Sequence, residues 1–450
     1  MGCLMVSISG VRGIVGEEFD PLLVGRWTAA FAAGCPSGPI VVGRDSRPSG
    51  ERLACSAMDV LQASGRDVWD LGIVPTPTVQ VAVEAWKAAG GMILTASHNP
   101  AEWNALKFVA PTGSFLDSDS FAQLRERAEA GVAGFTRATG WGSREPRGDA
   151  ALEEHRRRIL AVVDRDAIRR RPVSILIDCV HGAGGVLIPG LLRDLGADVR
   201  VLHGEPTGHF PRDPEPTGPA IEELGRAASA CGATFALAVD PDADRCALAM
   251  PDGRIVGEEW TLPLVAWLVL SRHPGPVVTN LSTSTRLDAV AQRFGCRVTR
   301  TPVGEANVVA ERKASGAVLG GAGNGGVIDP AVHYGRDAAV AAARLLEAAA
   351  GAPEGLSGMA RELPARYLLK RKVPLRPGGE GGEPMGRLRT LFGEADERDG
   401  LHWSMPDGFV HVRASGTEPV VRIIVEADSE EAARSRLEQV LQAGPFGTGG

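Results

Sequence analysis

Short apolar runs, polar loops and helix-period stretches alternate along the chain, and they do so three times in the same order. Residues 38–42 are apolar and run into Gly43-Arg44-Asp45-Ser46-Arg47. A helical pattern follows, ends at Gly65, and gives way to a second strand-like run at 67–71. Residues 173–178 run into His181-Gly182-Ala183-Gly184-Gly185, then a helix, then 196–199. Residues 276–280 run into Ser282-Thr283-Ser284-Thr285, then a helix, then 295–298. Gly-x-x-Val follows the helix each time, starting at Gly65, Gly196 and Gly295. A glycine there supplies the left-handed residue that closes a helix. The pattern predicts a threefold structural repeat of α/β units whose crossovers produce mostly parallel strand pairs.

Further apolar runs at 91–94 and 234–239 read as buried strands, and 260–270 reads as a buried helix too short to span a bilayer. Residues 144–171 are charged and mainly helical in pattern, with Arg156, Arg157 and Arg158 on a solvated face. Residues 351–364 form a second, Gly/Pro-punctuated linker. The tail changes character. It reads as a strand (368–375), a Gly/Glu-rich low-complexity loop near 378–383, a helix (384–392) and a hairpin (401–412, turning at Asp407-Gly408). A strand (420–427) and a helix follow, the helix opened by a capping box of Asp428 and Glu431. The expected fold is α/β: three similar units with mixed, mostly parallel sheets, then a C-terminal α+β domain with an antiparallel sheet. The divisions fall at 1–145, 146–252, 253–364 and 365–446.

Composition narrows the class. At 450 residues the chain is long enough for about three or four domains. A hydrophobic fraction of 44% supplies cores and argues against disorder. The formal charge of −7 offers no electrostatic case for nucleic-acid binding. Seven scattered cysteines without a C-x-x-C pair point to a reduced compartment. No stretch reads as a secretory signal or a membrane span, so a cytoplasmic protein, monomer or homodimer, is expected.

The candidate chemistry sits where strands end. Thr95-Ala96-Ser97-His98-Asn99-Pro100 follows the 91–94 strand, and Ser97 is a hydroxyl on a loop at the end of a buried strand. Alone, Ser-His-Asn would only shape a turn. The strongest signal is Asp240-Pro241-Asp242-Ala243-Asp244-Arg245. Acids two residues apart in extended backbone project to one side, and three of them repel unless a cation sits among them. Mg²⁺, hard and oxygen-seeking, fits that donor set. Oxygen ligands beside a hydroxyl suggest phosphoryl transfer, in which cations neutralise the moving group. Arg245 and Lys107 are the local cations. Near the C-terminus, Arg413-Ala414-Ser415-Gly416-Thr417-Glu418-Pro419 with Arg422 has the hydroxyls, glycine amides and guanidiniums of a phosphate cradle. Ser9-Gly10-Val11-Arg12-Gly13 reads as a glycine-flanked turn, with Arg12 a possible phosphate contact.

Taken together and in this order, these motifs resemble the α-D-phosphohexomutase family over nearly the whole chain. Thr95–Pro100 looks like its phosphoserine loop and Asp240–Arg245 its metal loop. Residues 301–308 and 320–328 look like its sugar-recognition segments, and 413–419 its phosphate loop. The resemblance implies that Ser97 carries a phosphoryl group and joins Asp240, Asp242 and Asp244 around Mg²⁺. It implies exchange of phosphate with a hexose phosphate through a hexose 1,6-bisphosphate, with Lys107 as proton-transfer partner. Arg12, His98 and Arg245 would position and neutralise the moving group. Gly304, Glu305 and Asn324 would meet the sugar, and Arg413, Ser415, Gly416, Thr417 and Arg422 the remote phosphate. The wording of the loops resembles the phosphoglucosamine mutase-like branch, with phosphomannomutase/phosphoglucomutase activity as the alternative.

One departure stands out. The loop reads Gly320-Gly321-Ala322-Gly323-Asn324-Gly325-Gly326, and the family has a glutamate where Ala322 stands. Its loss removes charge-assisted bonds to sugar hydroxyls of about 1.5–3 kcal/mol each. Glu305 is a candidate to compensate. Two rival readings follow: an aspartate-nucleophile phosphatase with Asp240 and Asp242 as its pair, and a catalytically impaired paralogue that binds sugar phosphates.

Overall fold

A computed structural model describes residues 4–131, 140–374, 382–414 and 420–444. The first unit contains β1 (Met5–Ser7), β2 (Gly10–Ile14), α1 (Pro21–Gly34), β3 (Ile40–Arg44), α2 (Gly50–Ala63) and β4 (Val68–Ile73). It continues with α3 (Thr76–Ala85), β5 (Gly90–Leu94), β6 (Trp103–Val109), α4 (Ser118–Glu129) and β7 (Arg144–Pro146). Its sheet runs β1-β2-β6-β5-β3-β4-β7. Helices α5 (Gly148–Val162) and α6 (Arg165–Arg169) lead to β8 (Ser174–Asp178), α7 (Ile188–Asp194), β9 (Asp198–Leu202) and α8 (Glu222–Cys231). Strands β10 (Phe235–Val239), β11 (Cys246–Ala249) and β12 (Ile255–Gly257) complete the sheet β12-β11-β10-β8-β9.

The third unit follows α9 (Thr261–Arg272) with β13 (Val277–Asn280), α10 (Arg286–Arg293), β14 (Val298–Thr301), α11 (Glu305–Ser315), β15 (Leu319–Ala322) and β16 (Gly326–Ile328). Its sheet order is β14-β13-β15-β16. Helices α12 (Ala338–Gly351) and α13 (Gly355–Arg361) precede the last unit. That unit is β17 (Tyr367–Pro374), α14 (Gly382–Phe392), β18 (Leu401–Met405), β19 (Gly408–Ala414), β20 (Val420–Ala427) and α15 (Glu430–Ala443), with a wholly antiparallel sheet β17-β20-β19-β18.

The repeat is visible in the topology. The segments β4-β3-β5-β6, β9-β8-β10-β11 and β14-β13-β15-β16 share one plan: three parallel strands, then a fourth antiparallel one. Each first helix ends at its glycine with positive φ: 74° at Gly65, 104° at Gly196 and 66° at Gly295. The next amide then bonds back to the helix, Arg66 to Leu61, Ala197 to Leu192 and Cys296 to Ala291, which closes the helix and aims the chain at the following strand. The loop between the third and fourth strands of each repeat holds, in turn, Ser97, the three aspartates, and Gly323-Asn324-Gly325.

Several local readings differ from the structure. Arg12 lies within strand β2, not in a turn; Gly10 lets that strand approach β6, since a β-carbon there would stand 2.2 Å from the Leu106 carbonyl oxygen. Residues 144–146 form an edge strand parallel to β4, because the Ser143 amide and hydroxyl are held by the Asp67 carboxylate and bring the chain alongside. The last helix is capped by Ser429, whose hydroxyl accepts from the Ala432 amide, one residue beyond the expected Asp428. The linker at 351–364 contains α13. Most of the low-complexity loop lies outside the described residues. No helix among the described residues is long and apolar enough to cross a membrane.

The second and third units share one continuous core, threaded by α9 and the alanine-rich α12. Small residues suit α12 because it is buried on nearly every side. Its N-cap, Asp337, is also the centre of a fully enclosed junction. Asp337 Oδ2 lies 2.6 Å from His155 Nε2 and 3.1 Å from His333 Nε2, and the Thr78 hydroxyl meets His155 Nδ1 at 2.9 Å. These residues come from α3, α5 and the loop before α12, so one carboxylate ties three parts of the chain. The spacings are those of direct hydrogen bonds; ligands around a tetrahedral zinc stand about 3.3 Å apart. Asp337→Ala strands two buried imidazoles and removes a helix cap. It is expected to lower stability by about 3–5 kcal/mol in urea denaturation.

Candidate active site

Strand β5 delivers Ser97 at its end, almost fully buried and with φ of 51°. A left-handed non-glycine residue costs roughly 1–2 kcal/mol, so other bonds must hold it. Those bonds centre on Arg47, which is completely buried. Its Nη2 donates to the carbonyls of Ser97 at 2.7 Å and Asn99 at 2.6 Å, and its Nη1 to those of Trp103 at 3.0 Å and Pro100. Its Nε bonds Asp45 Oδ2 at 3.0 Å. Asp45 also accepts from the Thr95 hydroxyl at 2.6 Å, whose oxygen takes the Ser97 amide at 2.9 Å. Arg12 Nη1 reaches Asn99 Oδ1 at 2.7 Å from the neighbouring strand.

The aspartate loop meets this serine from the second unit. Ser97 Oγ donates to Asp240 Oδ2 at 3.0 Å. The acids do not converge by strand alternation, as the extended reading had it. Asp240 ends β10, and the chain then turns through Ala243 with φ of 53° while Asp240 Oδ1 accepts the amides of Asp244 and Arg245 at 3.1 Å. Proline at 241 and a turn stabilised by its own first carboxylate bring the three acids together. Their ligand atoms lie within 4.8 Å of one another. Lys107 Nζ stands 2.7 Å and the Thr76 hydroxyl 2.9 Å from Asp242 Oδ2, and Arg336 Nη2 lies 2.5 Å from Asp244 Oδ2.

Two buried oxygens, Asp242 Oδ1 and Asp244 Oδ1, take no hydrogen bond. Buried carboxylate oxygens without donors are costly, and a hard divalent cation is the guest that satisfies them. Burial and the charges of Asp244 and Asp242 push the Asp240 carboxyl well above its ordinary range. Burial opposes ionisation of Asp242 too, but Lys107 and the hydrogen bonds from Asp240 and Thr76 together outweigh it and hold that carboxyl low.

His98 is pressed the other way. Burial, then the guanidiniums of Arg245, Arg12 and Arg422, hold its imidazole well below the ordinary value, with Asp242 opposing them. A neutral His98 offers a hydrogen bond rather than a charge. The influence of Arg422 is informative, because that residue belongs to the last unit. Arg413 on β19, Arg422 on β20 and Lys372 on β17 are direct cross-strand partners. Like charges in one row are unfavourable unless an anion sits over them. This row lines a cavity of about 1050 Å³, with Arg245, Gly323 and Asn324 on its other walls. Ser415, Gly416 and Thr417 lie outside the described residues.

In the third unit Gly304, with φ of 143°, turns the chain into α11. Glu305 Oε2 is already paired with Arg336 Nε at 2.8 Å. Asp399 links the unit to the phosphate row, since its Oδ2 accepts both Val303 N at 2.8 Å and Arg413 Nε at 2.9 Å.

Sequence reading brought together Ser97, Lys107, Arg245 and the aspartates. It missed Arg47, Thr76, Arg336 and Lys372. Only Lys372 carried a local signal, a basic residue alternating with Lys370 along one strand face.

The chain matches, in order, the four phosphoglucomutase/phosphomannomutase domain models: α/β/α domain I over 5–133, domain II over 153–253, domain III over 259–367 and the C-terminal domain over 382–443. It is 37% identical over 440 residues to a phosphoglucomutase/phosphomannomutase of Thermococcus kodakarensis, covering 95% of this chain and 96% of that one. It is 36% identical over 446 residues to a probable phosphoglucosamine mutase of Methanopyrus kandleri, covering 96% of each. A crystal structure of a phosphoglucomutase/phosphomannomutase family protein from Burkholderia thailandensis superposes with a TM-score of 0.83 at 29% identity, covering 98% of this chain and 97% of that one.

Proposed function

Because the chain belongs to the phosphoglucomutase/phosphomannomutase family of phosphohexomutases, we propose that it interconverts hexose 6-phosphate and hexose 1-phosphate through phosphorylated Ser97 and a hexose 1,6-bisphosphate. The observation that carries the reading is the Ser97 Oγ to Asp240 Oδ2 distance of 3.0 Å, beside two buried acid oxygens without donors. Asp240, Asp242 and Asp244 would hold Mg²⁺, which when bound supplies charge neutralisation for the transferring phosphoryl group.

The chain's own residues do the rest. Phosphorylated Ser97 gives its phosphoryl group to the free hydroxyl of the sugar phosphate; that hydroxyl loses its proton as the departing Ser97 Oγ takes one up, with Lys107 the candidate proton-transfer partner. The bisphosphate then turns over. Its other phosphoryl group returns to Ser97 Oγ, so one phosphoryl is gained for each one lost. Arg413 and Arg422 hold whichever phosphate is not reacting; guanidiniums on a sheet face suit this because they read charge and shape, not position on the sugar. Arg245 and Arg12 flank the reacting serine loop, and closure of the units over bound substrate would keep water from the phosphoserine.

Glucosamine phosphate is the substrate we put forward, in line with the loop wording and the relative from M. kandleri. The T. kodakarensis relative favours a phosphoglucomutase/phosphomannomutase instead. The phosphatase reading is weakened because both oxygens of buried Asp240 are engaged, Oδ1 by two amides and Oδ2 by Ser97. The paralogue reading is weakened by the intact serine, acids and basic row.

The test is a coupled assay with glucosamine, mannose and glucose phosphates, Mg²⁺ and a bisphosphate primer, alongside mass spectrometry of the native protein. Phosphate on Ser97 and turnover of one sugar are expected. EDTA is expected to bring the rate to baseline and added Mg²⁺ to restore it. An acyl phosphate on Asp240, or turnover indifferent to EDTA, would contradict the proposal.

A further inference from the structure

The sugar loop between β15 and β16 carries Ala322 where the family resemblance expects a glutamate, and its neighbours at 321, 323, 325 and 326 are glycines. A hexose brings several hydroxyls, each of which needs an acceptor once water is excluded. Glu305 already gives one carboxylate oxygen to Arg336 at 2.8 Å. The space beside the loop nonetheless holds a carboxylate. A β-carbon placed on Gly323 would lie 2.2 Å from Glu259 Oε2 and 2.5 Å from Oε1. The position is therefore bare because an acid from the turn before α9 occupies the room.

That acid is held in place. Glu259 is 7% exposed, and its Oε2 accepts the Ser284 amide at 3.2 Å. Its Oε1, itself buried, stands 2.8 Å from Lys370 Nζ. Lys370 also meets Glu258 at 2.7 Å and donates to the Gly323 carbonyl at 3.3 Å, which ties β17 of the last unit to the loop. Glu259, Gly323, Asn324 and Lys370 line one wall of the cavity whose other walls carry Arg245 and the basic row.

We propose that Glu259 is the specificity-determining carboxylate of this enzyme's sugar subsite, a relocated acceptor for the ring substituents of the hexose phosphate that takes over from the acid missing at Ala322. The inference rests on the mutase reading above. Lys370 is its positioning residue: the ammonium fixes the carboxylate against Gly323, at the wall of the cavity.

The test is a set of four chains: wild type, Glu259→Ala, Ala322→Glu, and the double variant. Glu259→Ala is expected to raise KM for the hexose phosphate by about 10- to 100-fold, as loss of a charge-assisted bond does, with kcat changed by about threefold or less. Ala322→Glu alone is expected to raise KM, because it sets a second acid near the first. In the double variant the same Ala322→Glu change should lower KM back toward wild type. A purely interdomain ion pair would not be rescued in this way.

Wild-type KM in Glu259→Ala, or no rescue in a folded double variant, overturns the proposal. Should the double variant fail to fold, Glu259→Gln decides: it fits the same space, and an unchanged KM overturns the inference while a rise supports it. Calorimetric binding of glucosamine 1-phosphate and glucose 1-phosphate to the same chains separates the two levels. A wild type without turnover contradicts the mutase reading. Weakened binding in Glu259→Ala supports this inference whatever the turnover, and equal binding opposes it.

Discussion

Ser97→Ala is expected to lower kcat by roughly six orders of magnitude, the scale seen when a nucleophile that acts within a unit is removed, while the protein stays folded. The side chain contributes one hydrogen bond to the fold, Oγ to Asp240 at 3.0 Å. Everything else that shapes the loop uses its backbone: the amide to Thr95 and the carbonyl to Arg47. Alanine meets the same left-handed backbone as serine, so the change in strain is small. Loss of a partner for buried Asp240 is worth about 1–3 kcal/mol at most. The thermal transition should therefore shift by only a few degrees, while mass spectrometry finds no phosphate and the coupled assay no product. Substantial turnover in the folded variant would mean that another group carries the phosphoryl, and the mechanism built on Ser97 would fail.

How much of this was legible in the sequence depends on how local each feature is. The three helix-closing glycines and the apolar runs before them act through neighbouring residues, so the repeat was readable. The aspartate loop was readable as a cation site because three acids after a buried strand are improbable otherwise. Its geometry was not, since the convergence comes from a turn at Ala243 and not from strand alternation. Arg12 looked like a turn residue because Gly10 and Gly13 flank it, yet Gly10 serves close strand approach. Arg336 reaches Asp244 across 92 residues and Thr76 reaches Asp242 across 166. No periodicity or spacing announces such pairs, because they are set by how separate units pack. The shared loop position in the three repeats was also hidden. It appears only once the antiparallel fourth strands β6, β11 and β16 are seen to close each hairpin.

Arg47→Lys is the second large effect expected, and it would ordinarily be called conservative. Arg47 is fully buried and uses all three nitrogens of its guanidinium in different directions. The planar fork reaches Asp45, Trp103 and Pro100, and the carbonyls of Ser97 and Asn99 together. Its plane also lies over the Phe210 ring at 5.0 Å, which anchors the first unit to the second. Lysine offers three donors on a compact charge and cannot span that set. Asp45 then loses its main counter-charge. Burial already pushes its carboxyl upward, with Arg47 the largest opposing influence. A broken buried pair costs about 3–5 kcal/mol, and for a unit of this size each kcal/mol lowers the melting point by about 2–4 °C. The first transition should therefore fall by on the order of 10 °C.

The effect on rate follows from position. Ser97 sits left-handed only because Arg47 and Thr95 hold the loop, and a displacement of about 1 Å costs roughly 100-fold in kcat. A loss of at least that size is expected in Arg47→Lys at temperatures where the protein is still folded, with the response to EDTA unchanged from wild type. If the variant kept both its melting point and its kcat, the Thr95 hydroxyl and Asp45 alone would suffice to hold the serine. The arginine fork would then be an accessory of the fold, not the support on which the reactive hydroxyl depends.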